Sequence, residues 1–224
     1  MKSYNLFLLC FSLFVMSCNS NTVDWSTIYG SARDEHNKYL RTFCKEHYHN
    51  ALNLYDEIAE ESSELRNRAL YSKVTIMTHA QEYDSAVNVA KQIHDTSNIF
   101  NSFYNKSILI NTIMVYKSQS NNDNDEVKRY SKYIVDELKP IVTEKRDSIY
   151  IGISNHQANK SFDSDNMSVS NQTLVPFMLY LNYLYLYDAS EFMGEIQAWK
   201  DGFIGPNENI ENFFKSMKNM AVIQ

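Results

Sequence analysis

Glycine, proline and cysteine are all scarce in this 224-residue chain: 5 Gly, 3 Pro and 3 Cys. So few breakers argue for long helices and against a many-turned β fold. All three prolines (Pro140, Pro176, Pro206) fall in the last 85 positions. No Lys/Arg run stands out, and the net charge is −6. An acidic surface gains nothing from counterion release on nucleic acid or anionic lipid, so neither is an expected partner. There is no Gly-rich phosphate loop, Ser nucleophile elbow, CxxC or His-Glu-x-x-His, the motifs that would announce common cofactor, metal or hydrolytic chemistry. Neither an enzyme nor a cofactor-bound protein is therefore expected. What remains is an ordinary globular composition, 44% hydrophobic and 21% charged, rich in aromatics with 16 Tyr and 12 Phe. A chain this long buries about 70% of its unfolded surface and needs no metal or disulfide staple.

The first segment is a leader. Met1–Ser17 has a short basic start at Lys2 and an apolar stretch, Leu6–Met16. That stretch is short of the roughly 20 apolar residues that span a bilayer, as in a secretory signal. It ends in Val15-Met16-Ser17-Cys18, which resembles a bacterial lipobox. The resemblance implies cleavage before Cys18, acylation of Cys18, and a lipid-anchored envelope protein. Buried acyl chains contribute about 0.8 kcal/mol per CH₂, so two or three would hold it permanently. Residues 18–33 then form the lipidated cysteine and a polar tether, beginning Asn19-Ser20-Asn21-Thr22. No acidic run follows Cys18, which favours the periplasmic face of the outer membrane over the cell surface. Cys10 leaves with the leader and Cys18 is lipidated, so Cys44 stands alone, without a disulfide partner. Its setting among Leu40, Phe43 and Tyr48 predicts a buried small hydrophobe.

Residues 34–224 read as one helical domain. Helices are expected at Asp34–His47, Tyr48–Glu60, Arg66–Ala80, Tyr83–His94, Asn98–Lys117 and Glu126–Lys139 from their 3.6-residue apolar spacing. Ser63 is the expected cap of the third. Pro140 should end or kink the sixth. The polar stretch Ser118–Asp125 is expected as a solvated loop with an Asp cap, since it lacks the glycine and terminal Glu of a calcium loop. Thr143–Gln157 is ambiguous, because Ile149, Ile151 and Ile153 alternate as in a strand while Ile149, Gly152 and Ile153 fit a helix; helix is favoured. Asn159–Thr173 is expected as a long loop. Leu174–Tyr187 should be a helix, since Phe177, Tyr180, Leu181 and Leu184 hold helical spacing and Pro176 suits its first turn, followed by Asp188–Lys200 and Asn207–Ile223.

The stretch Glu82-Tyr83-Asp84-Ser85-Ala86 recurs loosely as His47-Tyr48-His49-Asn50-Ala51, 35 positions earlier. With small residues at Ala69, Ala86 and Ala90, the pair Arg66–Ala80 and Tyr83–Ile93 resembles a tetratricopeptide hairpin, whose period is about 34 residues. The early Trp, the Gly and the closing Pro of that repeat are missing. The resemblance implies an all-α fold, antiparallel helical hairpins stacked as a short TPR-like α-solenoid. It also implies a groove that holds another protein or peptide. Tyr183, Tyr185 and Tyr187 are either core residues with satisfied hydroxyls or one wall of such a groove. The rival expectation is an immunity or inhibitor lipoprotein that neutralises a basic toxin or enzyme in the periplasm.

Overall fold

In the computed structural model the described residues are 23–94, 106–158 and 167–221. The leader and Cys18 lie outside them. The described chain contains ten α-helices and no strand. The expected fold class is the one observed: all-α, with neighbouring helices packed in sequence through most of each unit. The chain divides into two compact units, one ending at Leu65 and one beginning at Arg66, within the stretch expected as a single domain.

The first unit is a hairpin of α1 (Trp25–Thr42) and α2 (Lys45–Glu61). α1 starts nine residues before the expected Asp34, because Asp24 caps it: its carboxylate accepts from the backbone N–H of Ser26 (3.1 Å) and Thr27 (3.4 Å). The helices meet through Ala32, His36 and Tyr39 on one side and Tyr48, Ala51, Tyr55 and Ile58 on the other, all buried. Burying each large side chain contributes about 1.5–3 kcal/mol. Cys44 is exposed, not buried. The apolar spacing that runs through Leu40, Phe43 and Cys44 continues past the point where the backbone reverses, so Phe43 and Cys44 form the turn.

The second unit contains α3 (Arg66–His79), α4 (Tyr83–Ala90), α5 (Lys106–Ser120), α6 (Asn124–Glu144), α7 (Arg146–Ala158), α8 (Met167–Tyr187), α9 (Ala189–Asp201) and α10 (Asn207–Ala221). α3 packs on α4, α4 on α5 and α5 on α6. Ala69, Ala86 and Ala90 are fully buried, as close helix approach requires. Asn67 locks the α3–α4 hairpin at its open end: its amide donates to His94 O and accepts from His94 N, both at 3.1 Å. Ser62, rather than Ser63, serves the turn before α3, its hydroxyl accepting from Leu65 N (3.3 Å).

The turns of these hairpins share one geometry. Among the described residues the non-glycine positions of positive φ are Phe43 (52°), Gln81 (62°) and Asn122 (57°), one per turn. At Gln81 and Asn122 the hydrogen bonds form the same double closure: Glu82 N–H to Met77 O with Gln81 N–H to Thr78 O, and Asp123 N–H to Ser118 O with Asn122 N–H to Gln119 O. Both are Schellman motifs without glycine. Asp123 then caps α6, accepting from Glu126 N (3.1 Å), so the polar stretch is a three-residue turn with the expected Asp cap. The turn positions lie 38 and 41 residues apart. The 35-residue echo between Tyr48 and Tyr83 is therefore out of structural register: Tyr48 is four residues beyond its cap Cys44, Tyr83 only one beyond Glu82.

Beyond α6 the packing order changes. α8 lies against α6, α7 and α9, while α10 contacts α7 and α9. From Leu174 onward α8 is almost wholly apolar and aromatic, and Phe177, Tyr180, Leu181 and Leu184, the four residues whose spacing predicts the helix, are fully buried. Ile149 and Ile153 of α7 are buried and Ile151 is exposed, the helical rather than the strand pattern. Pro140 does not end its helix but lies inside it, and Pro176 lies in the interior of α8 rather than in its first turn, because the helix starts at Met167. Pro140 and Asp136, whose carbonyl it cannot bond, are both exposed residues. Residues 167–173 belong to α8, which shortens the expected loop.

Candidate partner-binding surface

The three tyrosines chosen from the sequence end α8. Asp188 sets that end: its N–H donates to Leu184 O (2.7 Å) while its carboxylate caps α9 by accepting from Ser190 N (2.8 Å) and Glu191 N (3.0 Å). Positions i and i+2 on a helix point to nearly opposite sides, so Tyr183, Tyr185 and Tyr187 cannot form one wall. Tyr183 turns inward, 4% exposed, and its hydroxyl donates to Thr112 Oγ1 of α5 (3.0 Å). It is a core residue with a satisfied hydroxyl. Tyr185 turns outward, 46% exposed, edge-on to Phe192 of α9 with ring centroids 5.3 Å apart. Tyr187 is half-buried beneath the Lys132 ammonium of α6, 5.8 Å from its ring.

Tyr187 therefore joins a set of α6 residues that sequence reasoning did not single out. Arg129 lies over the Tyr130 ring (4.6 Å), donates to the Tyr130 hydroxyl (2.7 Å) and pairs with Glu126. Tyr133 is 49% exposed, its ring 6.4 Å from that of Tyr130. Lys132 pairs with Asp136 (2.6 Å), which raises the ammonium's pKa, with smaller contributions from Tyr187 and Glu191. These pairs are exposed and screened by solvent, so each contributes little to stability. The signal in the sequence was Lys128-Arg129-Tyr130-Ser131-Lys132-Tyr133: no long basic run, but i and i+4 spacings that gather Lys128, Arg129, Lys132 and Tyr133 on the solvent side.

Elsewhere in the second unit, a polar and aromatic node is built around buried Trp199. Trp199 of α9 is 1% exposed; its indole donates to Glu195 Oε1 (2.9 Å), the Arg146 guanidinium lies over its ring (4.7 Å), and the Tyr150 hydroxyl donates to its carbonyl (3.0 Å). A Cβ at Gly202 would stand 2.6 Å from that hydroxyl. Burial, and then the Glu195 charge, push the Tyr180 phenol well above its usual range. This node packs α7, α8 and α9 together.

The first unit carries a different polar feature, a surface depression of about 510 Å³ lined by Ser31, Asp34, Glu35, Lys38, Asn50, Asn53 and Leu54. Glu35 at its edge accepts from Lys38 (2.6 Å), from Asn50 (3.4 Å), and hydrogen-bonds His47 (2.7 Å). Lys38 first, and His47 second, lower its pKa to about 2. A carboxylate so held stays ionised near neutral pH and makes a poor general acid. Among the described residues no group of three or more His, Cys, Asp or Glu is placed to hold a metal ion, and no helix is long and apolar enough to cross a membrane.

No protein-family model matches the chain, and neither a curated protein nor a solved structure matches it.

Proposed function

We propose that the chain is a lipoprotein, acylated on Cys18 and held on the periplasmic side of an outer membrane, whose stacked helical hairpins bind another protein or peptide. The observation that carries this reading is the surface of the second unit. There, exposed Tyr133 shares the solvent side of α6 with Arg129 and Lys132, Tyr187 lies beneath the Lys132 ammonium, and Tyr185 is exposed beside Phe192 of α9. Tyrosine and arginine are the residue types that most often anchor protein interfaces. Their helices are fixed by a dense core, so they are presented with little loss of freedom on binding. The anchor is supported by the leader and its Val15-Met16-Ser17-Cys18 ending.

The experiment is affinity capture from solubilised envelope, with tagged protein against a Cys18→Ala control. Envelope proteins retained by the lipidated form support a binding module. A single stoichiometric basic partner that survives high salt identifies the inhibitor form of the same role, which the net charge of −6 would steer. Recovery of nothing from either bait would contradict the reading.

A further inference from the structure

We infer that the solvent face of α6 from Lys128 to Tyr133, continued by Tyr187 of α8, docks an acidic segment of a partner protein. The inference rests on the binding role proposed above and specifies the chemistry of the partner. The chain as a whole is acidic, with 27 Asp and Glu against 21 Lys and Arg. Yet Lys128-Arg129-Tyr130-Ser131-Lys132-Tyr133 holds three cations and no carboxylate. Lys128, Arg129, Lys132 and Tyr133 are all exposed, and Tyr187 closes one side beneath the Lys132 ammonium. Tyr130 is half-buried against the core and braces Arg129 through its hydroxyl, so the guanidinium is held in place before a partner arrives.

The carboxylates Glu126 and Asp136 flank the cations in exposed pairs, and the Glu191 charge from α9 also reaches Lys132. Such pairs are weak enough to be exchanged for those of a partner. A peptide carboxylate reads charges within a few ångströms and can form charge-assisted hydrogen bonds with them. A membrane or a nucleic acid reads the summed field of the molecule, which is negative. Charge complementarity therefore favours an acidic protein segment, with the tyrosine rings supplying apolar contact.

The test repeats the envelope capture with full-length wild-type, K128E/K132E and Y133A baits, each checked for unchanged helix content and urea midpoint. A Glu/Leu peptide and its Lys/Leu counterpart serve as competitors, and phosphatidylglycerol vesicles as a separate probe. The expected result is a partner retained by wild type and about tenfold less by K128E/K132E, the loss expected for two exposed charge pairs. The Glu/Leu peptide should displace it and the Lys/Leu peptide should not. Y133A should also weaken retention. Equal retention by all three baits would overturn this face while leaving the binding role intact. Displacement by both peptides alike, or vesicle binding that K128E/K132E abolishes, would also overturn the inference. Recovery of nothing by wild type would overturn the binding role itself.

Discussion

The hairpins α3–α4 and α5–α6 and the group α7 to α10 are held by different means. In the hairpins the determinants are local: small residues at Ala69, Ala86 and Ala90, a left-handed residue at Gln81 or Asn122, and the Asn67 clasp on His94. Each lies within one hairpin. In the C-terminal group the determinants are long-range and aromatic. The Phe177 ring lies 4.3 Å from that of Trp199 and is stacked 5.9 Å from that of Phe213, and Tyr150 of α7 reaches the carbonyl of Trp199. The first arrangement repeats because a turn can be copied. The second does not repeat, because α8 is buried by α6, α7 and α9 together.

Removing Trp199 should therefore cost the most. Trp199→Ala takes away a fully buried ring and strands Arg146 and Glu195, so urea unfolding should show a loss of about 4 kcal/mol. A loss below about 1 kcal/mol would mean that the aromatic node is not the centre of its region. Asn67→Ala removes two hydrogen bonds that close a hairpin, and the same assay should show about 2 kcal/mol. The contrast is sharpened if hydrogen exchange in Asn67→Ala rises in α3 and α4 while α8 and α9 keep their protection.

Gln81→Gly should have a smaller effect of opposite sign. Glycine relieves the left-handed conformation, and the gain of about 0.5–1 kcal/mol is what survives its greater entropy when unfolded. Asn122→Gly should gain less, a few tenths of a kcal/mol, since asparagine already tolerates this conformation. A thermal shift downward for Gln81→Gly would contradict the assigned turn.

The smallest effect belongs to Glu35 in the first unit. Its carboxyl takes up a proton near the usual 4.5 when unfolded and only near about 2 when folded. Between those values the unfolded chain binds more protons, so acid favours unfolding there. The stability gap between wild type and Glu35→Gln should be fully present above pH 4.5 and close as pH falls towards 2. A gap that persists at the lowest pH would show that the contribution is packing, not charge.

The helical class was legible because 3.6-residue spacing survives even in the tyrosine-rich stretch: Phe177, Tyr180, Leu181 and Leu184 were read from the chain and are all fully buried. The turns were legible only in part. Asp123 announced itself as a cap, but Phe43 and Gln81 take up left-handed φ with no glycine to mark them, so Cys44 was misplaced in a helix interior. The order of packing after α6 was not legible, since apolar spacing says which face of α8 is buried but not what buries it. The candidate surface was half-seen. Tyr185 and Tyr187 reach the surface and Tyr183 does not, because alternation in sequence is not alternation on a helix. Spacing alone gathers Lys128, Arg129 and Lys132 on one side of α6, but Tyr187 joins them only when α6 and α8 are set side by side.

The central proposal is that a lipid on Cys18 presents a helical surface to a protein partner. The most direct measurement is photo-cross-linking in growing cells, with the cross-linker at Tyr185 or Tyr133 in wild-type and Cys18→Ala backgrounds. The account predicts a discrete protein adduct at one or both positions that disappears when Cys18 is replaced. Adducts of equal yield without Cys18, or none at either position, would contradict it.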